Sequence, residues 1–140
     1  MTDSWHQRAI RILTPLLAVA VLVSVVHYTD NTVNYSDYPQ NGPLPDPSKW
    51  LVLGSWFAFT AAGIAGYVLF RRGPSTRALA LLAVYSGSGL VGIGHYTVPG
   101  AFDMPAWRQA HVIADILLGI ALFAFVMWSA RSRAPTPQRG

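Results

Sequence analysis

The sequence predicts an all-α polytopic membrane protein, a four-transmembrane-helix bundle with both termini cytoplasmic. Three observations carry that reading. Only 11% of the 140 residues are charged, less than half the roughly 25% of soluble domains. Four apolar segments each approach the ~20 residues a spanning helix needs. The cations collect in the segments that would share one side of a bilayer.

Composition narrows the function classes. Apolar residues make up 52% of the chain, and mean hydropathy is +0.35. There is no Glu, one Lys, nine Arg and six Asp. A sequence pI near 9.9 suggests nucleic acid, but cations scattered between long apolar runs cannot build a dense basic face. The absence of cysteine excludes disulfides, thiolate metal sites, Fe–S clusters and cysteine nucleophiles. Nor is there a phosphate-cradling glycine loop or a nucleophile elbow. The use of Arg, Ala and Gly over Lys and Glu points to a high-GC bacterial source. Localisation is then integral to the bacterial cytoplasmic membrane, and the Asn34-Tyr35-Ser36 sequon carries no meaning there.

The helices are expected over about 10–27, 50–70, 78–95 and 107–129, in a single domain spanning 1–140. The first follows Arg8 and Arg11 and runs past Ala18-Val19-Ala20 through Val26, which favours a retained helix over a cleaved leader. Pro15 is where it would kink. The outer loop 28–49 carries Pro39, Pro43, Pro45 and Pro47, which favour extended backbone, as a lid or a connector. The tail 132–140, with Pro135 and Pro137, is expected to be disordered. Eight cations (Arg8, Arg11, Arg71, Arg72, Arg77, Arg131, Arg133 and Arg139) fall on the side of the termini. Lys49, Arg108, Asp30, Asp37, Asp46 and Asp103 fall on the other. Aromatic belts fit this: Trp50, Tyr96 and Trp107 outside, Trp5, Tyr67 and Trp128 inside.

Three of the four histidines share one depth. His27 and His95 end helices that run outward, and His111 lies one turn into the helix that returns. A histidine at a helix end is most often an interfacial side chain or a partner of terminal carbonyls. Three at one level, each with polar companions, point further. His111 and Asp115 stand at i and i+4 on one face, with Gly119 continuing it. Tyr85, Ser88, Gly92 and His95 share a face, as do Ser24 and His27, with Tyr28, Asp30 and Asn31 following at once. Asp115 lies about two turns below Trp107, inside the hydrocarbon region, where a lone carboxylate is costly and marks a site by default. Its partners would be His111, His27, His95, a bound cation, or Arg108 two turns up the same helix, the last making a structural ion pair.

Two chemistries suit this set. One is a divalent transition metal, Zn or Fe, on His27, His95, His111 and Asp115, with Asp115 either ligating or fixing the His111 tautomer. The other needs no cofactor: acid/base catalysis by Asp115 and His111, with Tyr85 among the catalytic candidates, delivering a proton to a membrane-soluble substrate. Haem b between two histidines is a further alternative, with Gly87, Gly89, Gly92 and Gly94 leaving room for a macrocycle. Those glycines, with Gly63 and Gly66, also serve close helix packing in lipid.

The layout resembles the EXPERA group of four-helix membrane proteins, which includes sterol isomerases and the sigma-2 receptor. The resemblance rests on a first helix ending near Asp30, on Tyr38-Pro39 before Trp50, and on Tyr67-Val68-Leu69-Phe70-Arg71-Arg72-Gly73 closing the second helix. It implies a lipid-accessible pocket for a sterol-like or isoprenoid-like molecule and adds Asp30 to the catalytic candidates. The second helix here lacks the acidic residue on which that group relies.

The expected function is a small membrane enzyme with a His/Asp site in the outer leaflet, gated by the 28–49 loop. It would isomerise, cyclise or hydrolyse a lipid or isoprenoid. The alternative is a non-catalytic subunit or carrier for haem b, quinone or lipid. Expected partners are membrane lipid or a hydrophobic small molecule and further copies of the chain, with no nucleic acid.

Overall fold

The computed structural model describes residues 2–43 and 45–133. These form four long helices: α1 (Thr2–Val33), α2 (Lys49–Arg72), α3 (Thr76–Leu90) and α4 (Ala106–Ser132). Short 3-10 segments cover Tyr35–Asp37, Val91–Thr97 and Ala101–Asp103. Each helix packs against its neighbours in sequence, and α1 closes against α4. Four spans, α3 being counted with the 3-10 turns that follow it, are long and apolar enough to cross a membrane. Their outward faces carry large apolar side chains, among them Leu22, Phe57, Val84 and Leu117, as a bilayer-facing surface requires.

The helices outrun the apolar stretches because hydropathy marks the oily span, while capping and side-chain pairing mark the ends. At ~1.5 Å per residue the 32 residues of α1 reach about 48 Å, well beyond a ~30 Å hydrocarbon core. The helix continues through Pro15 and past His27 to Val33, so His27 sits inside it, not at its end. Ser48 caps α2 by accepting from the Leu51 amide, and Ser75 caps α3 by accepting from Ala78. α3 ends earlier than expected: from Val91 the chain tightens into 3-10 turns, and His95 belongs to that segment. Most of the expected tail lies outside the described residues.

The start of α1, the end of α4 and the 73–75 connection meet at one end of the bundle. The His6 ring donates from Nε2 to the Phe70 carbonyl at 2.7 Å, and Arg133 donates to the Pro74 carbonyl. Trp5 and Trp128 lie 5.8 Å apart there. The main core, including Leu13, Phe70, Leu82, Tyr85, Leu122 and Phe125, fills this half. The polar residues of interest occupy the opposite half.

The glycines set how closely α3 approaches its neighbours. A Cβ at Gly89 would collide with the Asp115 carbonyl on α4, and one at Gly119 would lie 2.8 Å from the Ser86 carbonyl. On α2, Gly63 admits the Tyr85 ring and Gly66 admits Leu82. This is the small-residue packing of lipid-embedded helices. Gly89→Val is therefore expected to destabilise the bundle by roughly 1–3 kcal/mol or more, whereas Gly54→Ala, whose new methyl meets nothing within 4 Å, does not destabilise it. Thermal unfolding in detergent measures both.

Candidate functional site

Residues on α1 and α4 form an antiparallel ladder. His27 and Asp30 are three apart on α1; Arg108, His111 and Asp115 follow at three and four on α4. Because the helices run in opposite directions, the lower α1 residue meets the deepest α4 residue and the upper meets the shallowest. His27 Nδ1 lies 2.7 Å from Asp115 Oδ2, with both side chains buried. Arg108 Nε donates to Asp30 Oδ2 at 2.8 Å, and Nη2 reaches Asp30 Oδ1 at 3.4 Å. Both side chains are buried here too.

Of the partners that the sequence left open for Asp115, His27 is the one it takes. Arg108 is not the partner of Asp115; on its own helix it lies two turns away, whereas Asp30 faces it across the interface. Nor does Asp115 hold His111, although they share a helix face. Its carboxylate turns to His27, and His111 instead stands 3.3 Å from Asp30, Nε2 to Oδ2. Neither ring nitrogen of His111 makes a well-formed hydrogen bond among the described residues. The His111 ring lies 5.6 Å from that of His27 and 5.5 Å from Trp107, between the two ion pairs.

On its other side His27 faces His95, with the two Nε2 atoms 3.5 Å apart. Asn31, one turn above His27, donates from Nδ2 to His95 Nε2 at 3.1 Å. That occupies the single lone pair of His95 Nε2 and leaves its proton on Nδ1. Where the Asp115 carboxylate accepts from His27, the ring proton lies on Nδ1. His27 Nε2 is then an acceptor for which the described side chains supply no donor.

His27 lines a cavity of about 510 Å³, within the roughly 300–1,000 Å³ range of small-molecule sites. His27, Asn31 and His95 form its polar wall; Tyr28, Phe59, Val91 and Val98 are among the rest, and the proline-rich loop covers it. The loop is held by its own bonds: Tyr35 donates to the Pro47 carbonyl at 2.5 Å, and Asp46 accepts from the Asn41 amide at 2.9 Å.

Tyr38 fastens the loop to the ladder. Its hydroxyl donates to Asp30 Oδ2 at 2.6 Å, the Arg108 guanidinium lies 4.8 Å over its ring, and that ring packs 5.0 Å from His95. Burial, reinforced by the adjacent Asp30 carboxylate, holds the Tyr38 phenol far above its ordinary pKa, so it stays a donor. Arg108 also reaches Asp37 Oδ2 at 3.4 Å at the loop's start.

His27, His95, His111, Asp30 and Asp115 thus converge, but in distinct roles: His27 and His95 face the cavity, while Asp115, His111 and Asp30 stand behind. Tyr85 is separate. It is buried in the main core beneath Gly63, its hydroxyl without a hydrogen-bond partner among the described residues. No group of three or more His, Cys, Asp or Glu is placed to hold a metal ion among the described residues. Asn31 and Tyr38 were not among the site candidates. Asn31 is i+4 from His27, so helical spacing alone marks it; nothing local marks the inward turn of Tyr38.

The Arg108–Asp30 pair is the stability test of this site. Arg108→Met strands a buried carboxylate and is expected to cost roughly 3–5 kcal/mol. Adding Asp30→Asn removes the stranded charge and restores at least half of the loss. Unfolding of the single and double variants in detergent measures this coupling.

No protein-family model matches the chain, no curated protein matches it, and no solved structure matches it.

Proposed function

We propose that this chain is an integral membrane enzyme that takes a lipid or isoprenoid into the cavity and performs acid/base chemistry on it with His27. The observation that carries this reading is His27 itself. Its Nδ1 lies 2.7 Å from a buried carboxylate, and the residue lines the cavity beside His95, whose Nε2 is 3.5 Å from its own. By the distribution of cations both termini are cytoplasmic. The cavity then lies in the outer leaflet, where a membrane-soluble molecule reaches it from the side.

The chemistry follows from the arrangement. His27 Nε2 accepts a proton from the bound molecule and becomes an imidazolium. Asp115, fixed behind it, stabilises the charge and preserves the ring orientation. The same nitrogen returns the proton at another atom, which gives isomerisation or cyclisation, or it activates water for hydrolysis. His95 and Asn31 set the geometry of the wall, and the covering loop keeps bulk water out.

A second reading keeps a specific observation. Two nitrogens bound to one zinc or iron at ~2.0–2.1 Å in tetrahedral geometry stand about 3.4 Å apart, close to the 3.5 Å between His27 Nε2 and His95 Nε2. Asp115 would then be the carboxylate that orients a ligating histidine. Elemental analysis of purified protein separates the readings: about one metal per chain favours the ion.

Proton transfer at carbon is tested with solvent deuterium. Membranes containing the native protein, incubated in D2O, are expected to incorporate deuterium into one class of apolar lipid, detected by mass spectrometry. His27→Ala should slow incorporation by at least ~100-fold, and Asp115→Asn by a comparable factor. Incorporation at the native rate in both variants would contradict the reading.

A further inference from the structure

Resting on that reading of the cavity, we propose that its ligand is an uncharged lipophile ending in a hydroxyl, a free lipid alcohol or quinol, and not a phosphorylated one. The polar end is defined by what the wall lacks. With the His27 proton on Nδ1 toward Asp115, and His95 Nε2 already accepting from Asn31, His27 Nε2 presents a lone pair with no donor. An O–H group donates to it. A ketone, an ether or a hydrocarbon terminus cannot.

The other polar groups around the cavity are largely engaged elsewhere. Tyr28 donates to the Ser88 carbonyl, Tyr38 to Asp30, Tyr35 to Pro47 and Ser55 to the Val52 carbonyl. A ligand therefore meets the His27 acceptor on the histidine wall and a mainly apolar lining elsewhere, with the Asp46 carboxylate on the loop side, which suits a long apolar body with one polar end.

Charge excludes the phosphorylated form. Among the described residues lining the cavity there is no Lys or Arg, and the only acid is Asp46. Arg108 is held by Asp30 and Asp37 on the far side of Tyr38. Lys49 lies 5.1 Å over the exposed Trp50 ring and is not a lining residue. The N-terminus of α2 reaches the rim, but its Leu51 amide is taken by the Ser48 hydroxyl. A diphosphate would enter a low-dielectric space with an acid beside it and no cation among the described lining residues to meet it, and an ion buried without a partner is strongly disfavoured.

The native protein in nanodiscs, titrated with three C15 isoprenoids at stated mole fractions of the lipid, tests this, with tryptophan fluorescence as readout. Farnesol is expected to bind at least fivefold more tightly than farnesyl methyl ether, and at least tenfold more tightly than farnesyl diphosphate. His27→Phe reduces the alcohol-to-ether ratio to below twofold. Equal binding of alcohol and ether by the native protein, or preference for the diphosphate, overturns the ligand assignment while leaving the cavity as a lipid site. Binding of none of the three overturns the assignment and the lipid-site reading together. The native ligand series decides even if His27→Phe does not fold.

Discussion

A carboxylate two turns inside an apolar helix must be paired, and the partner it finds decides how the rest of this half of the bundle is arranged. Asp115 pairs with His27 across the α1–α4 interface. That contact sets the register of the two helices, because it leaves Asp30 facing Arg108 and His111 one level higher. It also fixes the orientation of the imidazole, with Nδ1 turned to Asp115 and the Nε2 edge toward His95. The close approach of α3 at Gly89, against the Asp115 carbonyl itself, brings the following 3-10 segment and His95 alongside.

The upper pair connects this register to the loop. Asp30 accepts from Arg108 and Tyr38 together, and Tyr38 packs against His95. The covering segment is thus tied both to the ladder and to the cavity wall. Four prolines stiffen it, which lowers the entropy lost in holding it over the cavity. The cavity is thereby bounded by the histidine wall on one side and by this stiff segment on the other.

The four apolar spans and the shared level of His27, His95 and His111 were legible in the sequence because both follow from helix rise and hydropathy. The pairing was not. Periodicity reports which residues share a face of one helix, so His111, Asp115 and Arg108 read as a set; it is silent on which neighbouring helix that face meets. The antiparallel crossing swaps the partners, giving Asp115 to His27 and Arg108 to Asp30. Asn31 was visible in principle, one turn from His27. Tyr38 was not, because its inward turn depends on the position of Arg108 across the bundle. The early end of α3 at Leu90 was also hidden, since 3-10 and α-helical turns share the same apolar composition.

The protonation pattern of His27 tests the central claim most directly. Nitrogen-15 spectra of histidine-labelled protein in lipid, assigned with single histidine variants, distinguish the two tautomers and the imidazolium. With the cavity free of ligand, His27 should carry its proton on a hydrogen-bonded Nδ1 with Nε2 unprotonated, and Asp115→Asn should shift the Nδ1 signal. A proton on Nε2 in the native protein, or a His27 spectrum unaffected by Asp115→Asn, would contradict the account.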